Sequence, residues 1–483
     1  MQAFEPIGGQ LEILDRNEVD KIHAATIDVY ERVGIKIWSP EALNLFADAG
    51  ARVDEKKRIV YPSESFVKDT LKRVPEEFSM YGRDPSYKLL FGKKRVHFSL
   101  MGQSVKVEDL NGIIRLATLR DVEDLARLSD WCENIHHTSM MTTPSDVPQD
   151  AFHIHMLWAN LKNSRKTTDG YTWTARWSSE DLGLAAIIRG GKEELIKKPL
   201  LLGFINPVSP LQISKELAEG GILWARWNQP VLYAPEALSG ATAPVTLAGV
   251  LVQQNAEVLS GIMMAQLANR GAPVMYGTVS VALDMKTAAP ALGGPEAGLM
   301  NLATAQIARH YRIPCRGTGG NTESKLVDYQ AGIESALTLY TAALAGMNFI
   351  YDSAGALEGT LATSYGKVII DNELCGMVAR LLKGIEVSDE TLAVDEICKV
   401  GSSGSYLGTA FTSKNFRKEH FIPSLLDRRT RDLWMAAGGD DIVKVARRKA
   451  KQVLKEHEVP PIESNVLKEA ERYMSKVLKG YAI

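Results

Sequence analysis

The segment PVLYAPE at 230–236, followed by PVMYGTVS at 273–280, decides how this chain folds. Each holds a proline, then a short run of apolar and aromatic residues, then a small or polar loop. The runs do not alternate apolar with polar residues. Each therefore reads as a strand buried on both faces, as in a parallel sheet. Outward from this pair the same unit recurs. PLLLGFIN at 199–206, KTTDGYTW at 166–173, IHHTSMM at 135–141 and VHFSLM at 96–101 lie on one side, IPCRGTGG at 313–320 and FIYDSAG at 349–355 on the other. An amphipathic stretch follows each run, and a helix is the usual connection back to the next parallel strand. Eight such units between about Val96 and Gly384 predict an α/β fold of the TIM type, a closed (β/α)8 barrel. Its active site is expected on the loops at the C-terminal ends of the strands. A doubly wound open sheet gives the same local alternation, but the lack of a second Gly-rich dinucleotide turn favours closure. The first run has a second reading, since VHFSLMGQSVKVEDL at 96–110 also suits a hairpin over the bottom or mouth of the barrel.

The stretches between the runs carry helix signals. Thr118 precedes an acidic residue, Asp121, at the third helical position, and Val122, Leu125 and Leu128 trace one apolar stripe. Ile154, Leu157, Trp158 and Leu161 repeat that spacing. Ser178 to Asp181 is expected to open a third helix, which Gly190-Gly191 can close. Pro244 suits the first turn of a helix running toward Gly271, and further helices end at Gly346 and Gly384.

The chain has 483 residues, long for one barrel, so about a hundred residues at each end need other homes. Residues 1–94 read as an N-terminal helical cap, with helices from Asn17 to Arg32, from Ser39-Pro40-Glu41 to Gly50, and from Ser63 to Arg73. Residues 95–386 read as the barrel, and 387–483 as a C-terminal helical extension packed on it. The Gly-, Ser- and aromatic-rich segment Gly401–Arg429 suggests a loop laid over a surface. A net charge of −2 gives no reason to expect nucleic acid or an anionic membrane. No apolar run approaches bilayer length, and no secretory signal opens the chain. Four scattered cysteines, Cys132, Cys315, Cys375 and Cys398, form no CxxC pair and suit a cytoplasmic location.

Several residues at the strand ends could carry chemistry. The loop Gly317-Thr318-Gly319-Gly320-Asn321 allows close backbone approach to a ligand, or forms a phosphate-binding turn of the kind barrels place late in the strand order. Aromatics crowd the strand ends: Phe98, Tyr171, Trp173, Trp177, Phe204, Tyr233, Tyr276 and Tyr351. Where such rings converge they make a cage for a quaternary ammonium, worth about 0.5–2 kcal/mol. Where they do not, each is a packed ring under a loop. The nine histidines show no metal-binding spacing, so no metal is expected. Of His136 and His137, adjacent on one strand, only one can face inward. Glu358 and Asp284 follow strands and read either as bases or as partners of Arg316, Lys286 or Lys325.

Several blocks in order resemble the trimethylamine methyltransferase superfamily, which hands methyl groups from methylamines to a corrinoid protein. They are residues 22–54, SMYGRDP at 79–85, ATLRDVEDLARLSD at 117–130, TPSDVP at 143–148, the long block 322–387 and FRKEHFIPSLLDRR at 416–429. Trimethylamine-specific members carry pyrrolysine in the barrel mouth, at a position that aligns with the Gly317–Thr322 loop. Only standard residues stand there in this chain, which resembles the non-pyrrolysine branch acting on glycine betaine, proline betaine or carnitine. Ser405 replaces the His often found in that branch's C-terminal signature.

The resemblance implies methyl transfer from a quaternary amine, glycine betaine first, to the Co(I) corrinoid (cobalamin) of a cognate corrinoid-binding protein. It implies no tightly bound cofactor of the chain's own. Phe98, Tyr171, Trp173, Tyr276 and Tyr351 are then the expected ammonium cage. Arg316, His137 and Asn321 are the candidates for the substrate carboxylate. Gly317, Gly319 and Gly320 are expected to leave room for the corrin ring, and Gly401–Arg429 to help dock its carrier. A homo-oligomer is expected, as for most soluble barrel enzymes. Two readings of other classes stand beside this one: a betaine-binding protein without turnover, and a barrel enzyme on a phosphorylated metabolite held by the glycine loop.

Overall fold

The structure is a computed structural model that describes residues 7–481. The eight runs form strands β1 (His97–Leu100), β2 (His137–Thr138), β3 (Thr167–Tyr171), β4 (Leu201–Ile205), β5 (Val231–Tyr233), β6 (Val274–Gly277), β7 (Cys315–Thr318) and β8 (Phe349–Ala354). Each pairs in parallel with the next, and β8 pairs with β1, so the barrel closes in chain order. Closure removes the open-sheet alternative.

The helices that return the chain are α1 (Leu119–Trp131), α2 (Phe152–Asn163), α3 (Ala175–Arg189), α4 (Lys215–Arg226), α5 (Leu247–Ala268), α6 (Pro295–His310), α7 (Tyr329–Ala345) and α8 (Tyr365–Lys383). Thr118 caps α1 in a capping box with Asp121. The third helix opens earlier than Ser178, because Thr174 accepts the Trp177 N–H as N-cap. Gly190 and Gly346 end α3 and α7 in the left-handed region, where a side chain would be strained.

The first run is a barrel strand and not half of a hairpin over 96–110; the hairpin lies further along the chain. His97–Leu100 is a barrel strand, and the residues after it form a hairpin, Lys106–Glu108 with Ile114–Leu116. That hairpin pairs with Ala362–Ser364 at the C-terminal end of the barrel.

The N-terminal helices are Arg16–Arg32, Pro40–Asp48 and Glu64–Leu71, capped by Asp15, Ser39 and Ser63. Between them lie short strands missed in the sequence because each has only three residues. Ile35–Ile37, Arg52–Asp54 and Ile59–Tyr61 form a small sheet with Gln212–Ile213 of the loop after β4. A further hairpin, Glu77–Tyr81 with Lys88–Gly92, closes the N-terminal end of the barrel. Its Met80, Leu89 and Phe91 pack on the inward Leu202, Leu232, Met275 and Phe349. At the other end of the chain, helices Ile442–Glu456 and Ser464–Lys479 lie on the outside of the barrel, the first against α1 and α8, the second against α3. No helix among the described residues is long and apolar enough to cross a membrane.

Candidate active site

Alternation along each strand sorts side chains into the barrel or against the helices. Above the apolar layer sealed by the hairpin, the inward residues change character. A cavity of about 330 Å³ opens at the C-terminal mouth, and residues from all eight strands or the loops after them line it. Its walls include Asp169 and Tyr171 of β3, Phe204 of β4, Glu236 after β5, Arg316 of β7, and Tyr351 and Asp352 of β8.

Arg316 is the central group. It is 1% exposed, with its guanidinium carbon 4.9 Å from the ring centres of both Phe204 and Tyr351. Its Nη1 donates to the Thr278 carbonyl at 2.6 Å, and its Nε has no partner. Among the described residues no carboxylate lies within 4.0 Å of it. Burial lowers its pKa, and the more distant Asp352, Glu236 and Asp169 act against that.

Burial raises the pKa of two of these acids. Burial pushes Asp352 up to about 6, while Arg316 and the Gly102 N–H, which donates at 3.2 Å, pull it down. Asp352 sits at φ 62°, in the left-handed region, a strain of order 1–3 kcal/mol that surrounding structure must hold. Burial also raises Glu236, whose Oε1 accepts from Asn206 Nδ2 at 3.0 Å. Asp169 is tied from two sides. His137 Nε2 lies 2.9 Å from Oδ1, and Tyr351 donates its hydroxyl to Oδ2 at 2.5 Å.

One wall is aromatic. The Tyr171 and Trp173 rings meet edge to face at 5.5 Å, and Phe152 and Trp177 back them. Trp173 is 44% exposed and stands at the opening.

The structure brings Tyr171, Trp173, Tyr351 and Arg316 to one cavity. His137 lies inward but beneath it, holding Asp169 and Thr167. Asn321 is buried behind Asp352 and lowers that acid's pKa without lining the cavity. Phe98 and Tyr276 are corrected. Both occupy outward positions of their strands, so neither can join a cage. Phe98 stacks on His136 at 5.7 Å, and Tyr276 donates to Asn255 of α5 at 3.0 Å.

The glycine loop is also corrected. A Cβ at Gly317 would fall 2.3 Å from Asn301 Oδ1, one at Gly319 2.8 Å from Ile350, and one at Gly320 2.6 Å from the Asp352 carbonyl. These glycines answer packing against helices and β8, and none of the three lines the cavity. Neither a corrin ring nor a phosphate finds its seat there. Glu358 pairs with Lys106 at 3.5 Å, and Asp284 accepts the Lys286 N–H of its own turn.

Glu236 and Asp352 escaped the sequence reading, which searched strand ends for rings. The available signal was an acid just past an apolar run, in VLYAPE and FIYD. Among the described residues no three His, Cys, Asp or Glu side chains are grouped to hold a metal ion.

A closed parallel barrel with a charged, aromatic-walled cavity at its mouth defines a (β/α)8-barrel protein laid out as an enzyme. The profile of the trimethylamine methyltransferase (MTTB) family matches residues 4–480. A glycine betaine methyltransferase of Desulfitobacterium hafniense strain Y51 is 37% identical over 423 residues, 87% of this chain and 88% of the relative. The trimethylamine methyltransferase MttB of D. hafniense strain DCB-2 is 35% identical over 93% of this chain and 90% of its own length. The monomethylamine methyltransferase MtmB of Methanosarcina barkeri shares the fold, with a TM-score of 0.56 at 12% identity over 92% of this chain and 88% of its own. This chain belongs to the trimethylamine methyltransferase family, and it is a methyltransferase of that family.

Proposed function

We propose that this protein takes a methyl group from a small quaternary ammonium zwitterion, glycine betaine first, and delivers it to the Co(I) corrinoid of a partner protein. The observation that carries this reading is the cavity's charge layout: a buried guanidinium with no ion-pair partner among the described residues, facing the buried Asp352 carboxylate and the more exposed Glu236 carboxylate. That layout is the complement of a molecule with a carboxylate at one end and a permanent cation at the other. The glycine betaine methyltransferase among the relatives supports the same substrate. The acids disfavour a phosphorylated ligand.

A cavity of about 330 Å³ accepts a molecule of betaine's size and no corrin macrocycle. The corrinoid therefore stays on its carrier and meets the site at the mouth, beside the exposed Trp173. When bound, Co(I) supplies the electron pair that takes the methyl group. The methyl–nitrogen bond breaks, its electrons stay on nitrogen, and dimethylglycine leaves with no proton needed. Arg316 holds the substrate carboxylate. Asp352, Glu236 and the rings of Tyr171, Trp173 and Tyr351 hold the ammonium and exclude water. The positive charge on nitrogen vanishes as the bond breaks, so the acids act mainly on binding.

Calorimetric titration tests the layout. Glycine betaine is expected to bind, and Arg316→Ala to weaken it while leaving choline, which lacks the carboxylate, unaffected. Equal losses for both ligands would remove Arg316 from the carboxylate site. The four cysteines are all unpaired, which suits a reducing cytoplasm, and we place the protein there as a homo-oligomer.

A further inference from the structure

The exterior of the molecule is unfinished on one side. A compact chain of 53.0 kDa exposes about 18,000 Å², whereas this one exposes 21775 Å². The excess, roughly 4,000 Å², is in the range that permanent interfaces cover. Residues 385–439 are mostly exposed. Helices Asp389–Leu392, Val394–Val400, Ala410–Glu419 and Arg431–Ala436 have no buried residue. Helices this short do not hold themselves in water. Apolar side chains of these helices and of the segments joining them face outward instead: Ile385 is 85% exposed, Val387 74%, Ile397 53%, Leu407 88% and Leu433 59%.

This arm is held on α8, where Arg380 Nε donates to the Glu419 carbonyl and Lys383 Nζ to the Lys418 carbonyl, each at 2.8 Å. The Glu373 carboxylate of α8 accepts backbone N–H bonds from Ser424, Leu425 and Leu426. Beside that anchor, α7 and α8 leave an apolar groove of about 440 Å³ lined by Val327, Tyr329, Ile370, Leu374 and Met377. One chain thus carries both a protruding apolar arm and an apolar groove.

The arm's charges are sorted. Its leading limb, 386–396, holds Glu386, Asp389, Glu390, Asp395 and Glu396 and no basic residue. Its trailing limb, 414–431, holds Lys414, Arg417, Lys418, Arg428, Arg429 and Arg431 against Glu419 and Asp427. Within the chain the limbs share one ion pair among the described residues, Lys414 with Glu390 at 2.8 Å. Glu386, Asp389 and Asp395 on one limb, and Arg417, Lys418 and Arg431 on the other, have no ion-pair partner among the described residues, and all six are exposed.

We propose that residues 385–439 are the docking arm for a second copy of this chain. About a twofold axis the acidic limb of one copy meets the basic limb of the other, twice. A surface carrying both signs in separate limbs is its own complement and matches no singly charged partner. The position also argues against the corrinoid carrier. The 19-residue α8 starts at the mouth and runs about 28 Å away from it, and the arm departs from its far end.

Two charge-reversed variants test this. One carries Asp389→Lys, Glu390→Lys and Asp395→Lys, the other Lys414→Glu, Arg417→Glu and Lys418→Glu. Light scattering is expected to show wild-type protein as an oligomer, and each variant alone at half its mass or less. Mixing the two variants is expected to restore the assembly, because opposite limbs meet again. Far-ultraviolet circular dichroism reports folding, and if reversal unfolds the chain, Ile385→Ser with Leu407→Ser carries the same test. A monomeric wild type overturns both the oligomer and the arm. Variants that assemble as wild type, or a mixture that stays apart, overturn the arm alone. Variants that stay assembled but lose transfer to carrier-bound corrinoid, with transfer to free cobalamin intact, assign the arm to the carrier instead.

Discussion

At the N-terminal end of the barrel the inward layer is Leu202, Leu232, Met275 and Phe349, closed by Phe91 of the hairpin. Two residues further along β4 and β8 the inward side chains are Phe204 and Tyr351, and Asp169, Arg316 and Asp352 join them. The same strands thus build a dry, apolar end and a charged end. The first repays chain entropy with buried apolar surface. The second spends part of that gain on a guanidinium without an ion pair and on acids whose pKa burial has raised. Stability and chemistry are separated along the barrel axis by little more than one layer of side chains.

Substitutions at the two ends should therefore behave as opposites. Phe91→Ala is expected to cost about 3–5 kcal/mol in denaturant unfolding and to leave glycine betaine affinity of the folded protein unchanged. Loss of affinity at full stability would break the division. Arg316→Ala is expected to cost about 2–5 kcal/mol in kcat/KM for glycine betaine. Unfolding should show the stability unchanged or raised, because a poorly compensated buried charge is gone. Marked destabilisation would make Arg316 part of the core instead.

Smaller effects sharpen the role of the acids. Glu236→Gln is expected to raise KM roughly tenfold while kcat holds or rises, since the substrate's charge is lost in the transition state. A fall in kcat with KM unchanged would point to another role. Burial pushes the Asp352 carboxyl up to about 6. Below that pH a proton removes its negative charge, so KM should climb by up to about tenfold between pH 7.5 and 5. Asp352→Asn should flatten that climb, and a climb that survives in the variant would assign it elsewhere. Trp173→Ala, at the exposed rim, is expected to weaken binding by about 0.5–1 kcal/mol, read by calorimetry.

The barrel was legible because its signal is repeated. A short apolar run, a small or polar loop and a helical stretch recur eight times, and even the two-residue strand His137–Thr138 kept its place in the rhythm. The three-residue strands of the N-terminal segment have no such repetition to support them. The cavity was legible only in part. Tyr171, Trp173, Tyr351 and Arg316 stand where strand ends converge, but Phe98 and Tyr276 share those strand ends and face the helices. Which face a residue takes depends on register, and a shift of one position reverses it. The glycines in and just after β7 look like room for a ligand in sequence, yet Asn301, Leu339 and Ile350 fill that room from other elements. The acids Glu236 and Asp352 become meaningful only when the fold sets them across from Arg316.

The most direct test incubates the protein with glycine betaine and chemically reduced cobalamin and follows dimethylglycine by mass spectrometry. Trimethylamine serves as the parallel substrate. Dimethylglycine is expected from the wild type, with little from Arg316→Ala, and trimethylamine should be left unchanged. Demethylation of trimethylamine with glycine betaine untouched would contradict the zwitterion site. Failure to bind glycine betaine at all, with or without the corrinoid carrier, would contradict it equally.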